Sequence, residues 1–116
     1  MKKIYHLKTC DTCRKIIKSL KLDGFEYHEI KTNPITVSQL EQMGKLIGRF
    51  ESLFSRRAKK YKQMDLKNQA LSEKDYRQLI LDEYTFLKRP VVIVDDEIFI
   101  GNSPKVLEKL AANLNK

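Results

Sequence analysis

No stretch of this chain comes near the ~18 consecutive apolar residues that a membrane-spanning helix needs. The opening Met1-Lys2-Lys3 begins no apolar leader with a small-residue cleavage site. The expectation is a soluble, unexported protein with no membrane partner. Cysteine is scarce: Cys10 and Cys13 are the only two. In a chain that stays in a reducing cytoplasm, a disulfide between them would be transient, and catalytic or sensory rather than a staple. Histidine is equally scarce, with His6 and His28 alone. Neither has the spacing of a ligand pair, so no metal site is expected, and both read as strand-face residues. Internal repeats, low-complexity segments and linkers are missing. So are recognition-helix, RNP and zinc-finger patterns, which leaves direct nucleic-acid binding resting on charge alone.

What is present suits one folded domain spanning residues 1–116. A chain of 116 residues with 41% hydrophobic residues can bury a proper core without disulfides or metal. The net charge is +8, from 23 basic and 15 acidic residues. The excess favours an anionic partner: an acidic protein surface, glutathione or an oxyanion. Most basic residues are scattered over a solvated surface, with one denser cluster at Arg56, Arg57, Lys59, Lys60 and Lys62.

The informative feature is Cys10-Asp11-Thr12-Cys13, placed between a short strand (Lys3-Ile4-Tyr5-His6-Leu7) and a helix carrying Ile16, Ile17, Leu20 and Leu22 on one face. A thiol at a helix N-terminus meets the unsatisfied N–H groups and the positive end of the helix dipole, which favour thiolate. Cys10 is therefore the better nucleophile. Cys13, one turn on, suits the resolving role, and the three-residue spacing puts the sulfurs within bonding reach. Asp11 opposes thiolate formation, whereas Arg14 and Lys15 favour it.

Along the rest of the chain, Gly24 is expected to close the first helix at its C′ position. Residues 25–30 alternate as a half-buried strand, and Asn33-Pro34 ends it. Thr36 with Gln39 forms a capping box for a helix burying Leu40, Met43, Leu46 and Ile47, ended near Gly48. Phe50, Leu53 and Phe54 make a short helical piece before the basic cluster, and residues 66–71 read as a loose turn. Ser72 caps a helix with Tyr76, Leu79, Ile80 and Tyr84 facing inward. Val91-Val92-Ile93-Val94 is a buried strand. Asp95-Asp96 turns it into an antiparallel strand, Ile98-Phe99-Ile100-Gly101. Ser103 and Pro104 start the last helix, with Val106, Leu107, Leu110 and Leu114 inward. This order is α/β: a βαβ unit, inserted helices over about residues 34–86, then ββα. It gives a thioredoxin-like mixed four-stranded sheet.

Thr9-Cys10-Asp11-Thr12-Cys13-Arg14-Lys15, the Arg57, Tyr61 and Met64 region, and Leu87-Lys88-Arg89-Pro90-Val91-Val92 together resemble the arsenate reductase (ArsC)-like family. That family includes ArsC enzymes, Spx regulators and YffB-type proteins. The resemblance covers the whole chain and implies a glutaredoxin-like thiol-disulfide oxidoreductase. Cys10 and Cys13 would be catalytic, and Arg14, Arg57 (with Arg56 the alternative), Arg89 and Pro90 would bind substrate. Pro90 would be a cis proline beside the thiol. Tyr61 and Met64 are expected to pack in the core. No bound cofactor is implied; a small thiol or protein disulfide would be the partner, and glutathione or a thioredoxin-type protein the reductant. Arsenate-reducing members carry a further arginine where Gly101 stands, which argues against arsenate as substrate because a guanidinium fork is hard to replace at an oxyanion. The alternative implied is an Spx-type redox switch that binds RNA polymerase. A monomer is expected.

Overall fold

Two compact units make up the chain in this computed structural model, which describes residues 1–20 and 22–115. One joins residues 1–33 to residues 89–116; the other comprises residues 34–88.

The first unit holds β1 (Lys2–His6), α1 (Asp11–Ser19), β2 (Glu26–Glu29), β3 (Val91–Val94), β4 (Glu97–Ile100) and the last helix, α5 (Pro104–Leu114). Its four-stranded sheet runs β2-β1-β3-β4. β1 is parallel to β2 and antiparallel to β3, and β3 pairs antiparallel with β4. The α/β, thioredoxin-like mixed sheet read from the sequence is what forms. β3 is central, and all four of its residues are buried, the reason its sequence is a continuous apolar run. Ile4, Leu22, Phe25, Val92, Val94 and Leu110 make the core, with Ile17, Leu20, Phe99 and Leu114 packed against it. Ser103 accepts a hydrogen bond from the Val106 N–H at 3.3 Å, and Pro104 fills the first position of α5, as the sequence indicates.

Two local expectations fail here. α1 stops at Ser19, with Leu20 extended at its C-cap, so Gly24 does not cap it. Leu20 and Leu22 instead reach the core in non-helical chain. Gly24, at φ 80°, serves the turn in which the Phe25 N–H donates to the Leu22 carbonyl, a place that needs a left-handed residue. β2 does not bury Tyr27, which is 48% exposed, whereas Glu29 on the same strand is only 8% exposed. β2 is an edge strand, and the polar side chain is the one that finds partners inside.

The second unit contains α2 (Val37–Ile47), α3 (Lys59–Gln63) and α4 (Glu73–Asp82), with 3-10 turns at Phe50–Leu53, Leu66–Asn68 and Tyr84–Phe86. Both N-caps read from the sequence are present: Thr36 with Gln39 and Ser72 with Asp75 each form a capping box. α2 ends at Gly48 in the left-handed region. Phe54 organises the interior. Its ring stacks on Phe86 at 4.9 Å between centroids and tilts against Tyr76 at 5.0 Å and Tyr61 at 6.1 Å. Leu87, paired with Phe54 in an isolated β-bridge, is buried too. Ile47 is 37% and Met64 45% exposed, so neither joins the core as expected. Within residues 66–71, read as a loose turn, Leu66–Asn68 form a 3-10 turn with Leu66 buried. Tyr84 is half-buried in a 3-10 turn rather than at the end of a helix. No helix among the described residues is long and apolar enough to cross a membrane.

Candidate functional site

β1 delivers the chain to the dithiol. After His6 the backbone bends so that the Cys10 N–H donates to the Leu7 carbonyl at 3.0 Å, and Cys10 becomes the N-cap of α1 with extended φ/ψ (−88°, 111°). Its carbonyl accepts from the Arg14 N–H at 3.1 Å and starts the helix. Cys10 is half-exposed at this mouth, while Cys13 is fully buried one turn inside. Asp11 and Thr12 point to solvent between them. Both thiols are free.

The two sulfurs are poised in opposite directions. Burial pushes the Cys10 thiol up, but the backbone N–H and the thiol of Cys13, together with the Arg89 guanidinium, outweigh burial and bring it below the ordinary thiol value. Cys13 is driven to about 11: burial raises it, the Leu7 N–H opposes that, and the adjoining Cys10 adds to the rise. Leu7 thus touches both cysteines through its backbone, a role the sequence does not signal.

Arg89 reaches the site from two positions before β3. The Arg89–Pro90 peptide is cis, as the resemblance implies, and the Pro90 carbonyl accepts the Gly101 N–H at 2.8 Å. Gly101 has φ 84°. The sequence treats Arg14 and Asp11 as rival influences on the thiol; in the structure the Arg14 guanidinium donates to the Asp11 carboxylate. The cation that acts on the Cys10 sulfur is Arg89.

Arg57 belongs to the helical unit. It lies on the exposed turn before α3 and lines, with Lys59, Lys62 and Lys67, an open concavity of about 640 Å³. Arg56, the alternative, is committed to Glu51 at 2.8 Å and to the Tyr76 hydroxyl at 3.1 Å. His6 is buried, and burial lowers its pKa. Among the described residues no group of three or more His, Cys, Asp or Glu side chains could hold a metal ion.

The arrangement can hold an accessible sulfur as thiolate, keep a second sulfur protonated beside it, and place a guanidinium next to an incoming anionic group. The family model described as the ArsC family matches residues 5–110. The chain is 30% identical over 111 residues to YfgD of Escherichia coli K12, an uncharacterised protein, covering 91% of this chain and 93% of that one. It is 26% identical to the global transcriptional regulator Spx 2 of Bacillus anthracis over 110 residues, 91% of this chain and 83% of the regulator. The solution structure of an arsenate reductase (ArsC) related protein from Brucella melitensis superposes with a TM-score of 0.71 at 25% identity, over 93% of this chain and 92% of that one.

Proposed function

The chain belongs to the ArsC family, and from that premise we propose that it is a thiol-disulfide oxidoreductase working through Cys10 and Cys13. The observation that carries this reading is a pair of free cysteines at one helix mouth, Cys10 half-exposed as the N-cap of α1 and Cys13 buried one turn inside, with burial raising the inner thiol and Cys13 and Arg89 lowering the outer one.

The Cys10 thiolate attacks one sulfur of a substrate disulfide, forming a mixed disulfide and expelling the other sulfur as thiolate. Attack removes the negative charge at Cys10, and with it one of the influences that keep Cys13 protonated. The departing thiolate takes up a proton. Cys13 gives up its own and attacks the Cys10 sulfur, which closes the internal disulfide and releases the second half of the substrate. Two electrons have then passed from the protein to the substrate, and an external thiol, glutathione or a thioredoxin-type protein, returns them. Arg89 steadies the Cys10 thiolate, and Pro90 sets the neighbouring edge for a peptide or glutathione. Arg14 would meet substrate carboxylates from the exposed start of α1.

Arsenate is a poor fit. Gly101 stands where the resemblance puts the third arginine, and its left-handed φ disfavours any side chain there. The test of the whole reading is turnover of a glutathione mixed disulfide by the wild type and by Cys10→Ser, with loss of activity expected in the variant; undiminished turnover sinks it.

The Spx relative supports a second reading, in which closure of the same disulfide switches the protein's hold on RNA polymerase rather than turning over substrate. Capture of polymerase from reduced and oxidised lysates separates the two.

A further inference from the structure

Glu29 is a charged residue at the end of an edge strand, yet it is only 8% exposed. One carboxylate oxygen, Oε1, accepts the Lys31 N–H at 2.8 Å, the Thr32 N–H at 2.8 Å and the Thr32 hydroxyl at 3.2 Å. The other, Oε2, reaches across to the Lys8 N–H at 2.9 Å. Ladder pairing of β1 with β2 ends at the His6–Glu29 pair. Beyond it, the Ile30 N–H donates to the His6 carbonyl at 2.9 Å. Lys8 lies past that point, and the Glu29 side chain takes the place of the next strand residue.

The Lys8 N–H belongs to the same peptide unit as the Leu7 carbonyl, and that carbonyl accepts the Cys10 N–H. A peptide is planar, so fixing one edge orients the other. Carboxylate, peptide and Cys10 N–H therefore form one aligned chain of hydrogen bonds. The negative charge polarises the Leu7–Lys8 peptide and strengthens its carbonyl as an acceptor. The Leu7 N–H, on the preceding peptide, bears on Cys13.

We propose that Glu29 is the positioning residue of the dithiol loop, holding Cys10 at the helix mouth through the Leu7–Lys8 peptide. The inference rests on the thiol reading of Cys10 above. Glu29 touches no sulfur and would meet no substrate. Of the titratable neighbours, His6 feels Glu29, Lys8 and His28 together, and Lys8 meets the carboxylate through its backbone N–H.

The two oxygens have separate duties, and Glu29→Gln divides them. An amide keeps one oxygen for the three donors of Lys31 and Thr32 but turns an NH₂ group towards the Lys8 N–H, where donor meets donor. The Lys8 arm should open while the Thr32 arm survives. Thr32→Val does the reverse: it removes one donor from Oε1 and leaves Oε2 untouched.

Hydrogen exchange and iodoacetamide alkylation of Cys10, measured on the full chain, test the proposal. In Glu29→Gln the Lys8 amide should exchange about tenfold faster with the Thr32 amide still protected, and Cys10 should alkylate about three- to tenfold more slowly at neutral pH, a rise of about half to one unit in its midpoint. Thr32→Val should alkylate at the wild-type rate. Fast Lys8 exchange with unchanged alkylation overturns the proposal, and so does unchanged Lys8 exchange. Should the glutamine variant not fold, the wild type still decides: a Lys8 amide exchanging as fast as that of exposed Thr9 rules the latch out. A wild-type Cys10 no more reactive than free cysteine instead defeats the thiol reading and leaves the Lys8 and Thr32 exchange pattern standing.

Discussion

The Arg89 guanidinium bears on the Cys10 sulfur, so a residue two positions before β3 supplies positive charge for a thiol at the start of α1. Arg14, four positions from the same sulfur in sequence, spends its charge on Asp11. Proximity along the chain and influence at the site are therefore separate matters.

Arg89→Gln should slow alkylation of Cys10 near neutrality several-fold, because it removes the guanidinium that favours the thiolate. Arg14→Gln, which disturbs only a surface ion pair, should change it little. The comparison is made by following carbamidomethylation at Cys10 by mass. Equal effects of the two substitutions would contradict the assignment of Arg89.

Cys13→Ser should stop the reaction at its first stage. With the resolving sulfur gone, a mixed disulfide between Cys10 and glutathione should accumulate and be visible in intact mass, whereas the wild type passes on to the internal disulfide. Cys13→Ala should also raise the Cys10 midpoint, because it removes the thiol that favours the neighbouring thiolate.

Glu29 also governs acid stability. Burial raises its carboxyl pKa, but the N–H groups of Lys8, Thr32 and Lys31 and the Thr32 hydroxyl overcome this and hold it at about 2, against an ordinary value of 4.5. A carboxyl depressed on folding contributes stability that is fully present above its unfolded value. That contribution is lost as pH falls from about 4.5 towards 2. Allowing for residual solvent, Glu29→Ala should lose roughly 2 kcal/mol at pH 7 and clearly less near pH 2, where the wild-type carboxyl is about half protonated. Urea unfolding across this range measures the difference; a penalty independent of pH would contradict it.

In the helical unit, a Cβ placed on Gly44 would come within 2.6 Å of the Phe50 ring. Gly44→Ala gains helix propensity but overpacks this contact, and a net loss of about 1–2 kcal/mol is expected. Phe54→Ala, which removes the ring shared by Phe86, Tyr76 and Tyr61, should cost about 3–5 kcal/mol. Thermal unfolding ranks the two, and a more stable Gly44→Ala would show that Phe50 can move aside.

The parts of this fold that were legible in the sequence are those fixed by local chemistry. Thr36 and Gln39, Ser72, and Ser103 with Pro104 announce their helices because a cap is satisfied within four residues. Val91–Val94 announces itself because only a strand covered on both faces is that apolar. Leu20 and Gly24 misled because the chain leaves α1 early to bury two leucines, a tertiary demand with no local mark. Tyr27 and Glu29 exchanged places for a related reason: alternation assigns polar side chains to solvent, and nothing in residues 25–30 reveals donors waiting at Lys8, Lys31 and Thr32. At the site, Cys10 and Cys13 could be read from spacing, whereas the approach of Arg89 and the cis peptide before Pro90 came only with the family pattern. The pairing of Arg14 with Asp11 was hidden, since an i, i+3 pair and two separate influences on a thiol look alike in sequence.

The fold lowers the Cys10 thiol below its ordinary value by setting it at the mouth of α1 beside Cys13 and Arg89. The pH dependence of its alkylation rate tests this most directly. The expected midpoint lies below the ~8.5 of a free cysteine, with reaction at neutral pH faster than that of the free amino acid. A midpoint at or above that value would contradict it.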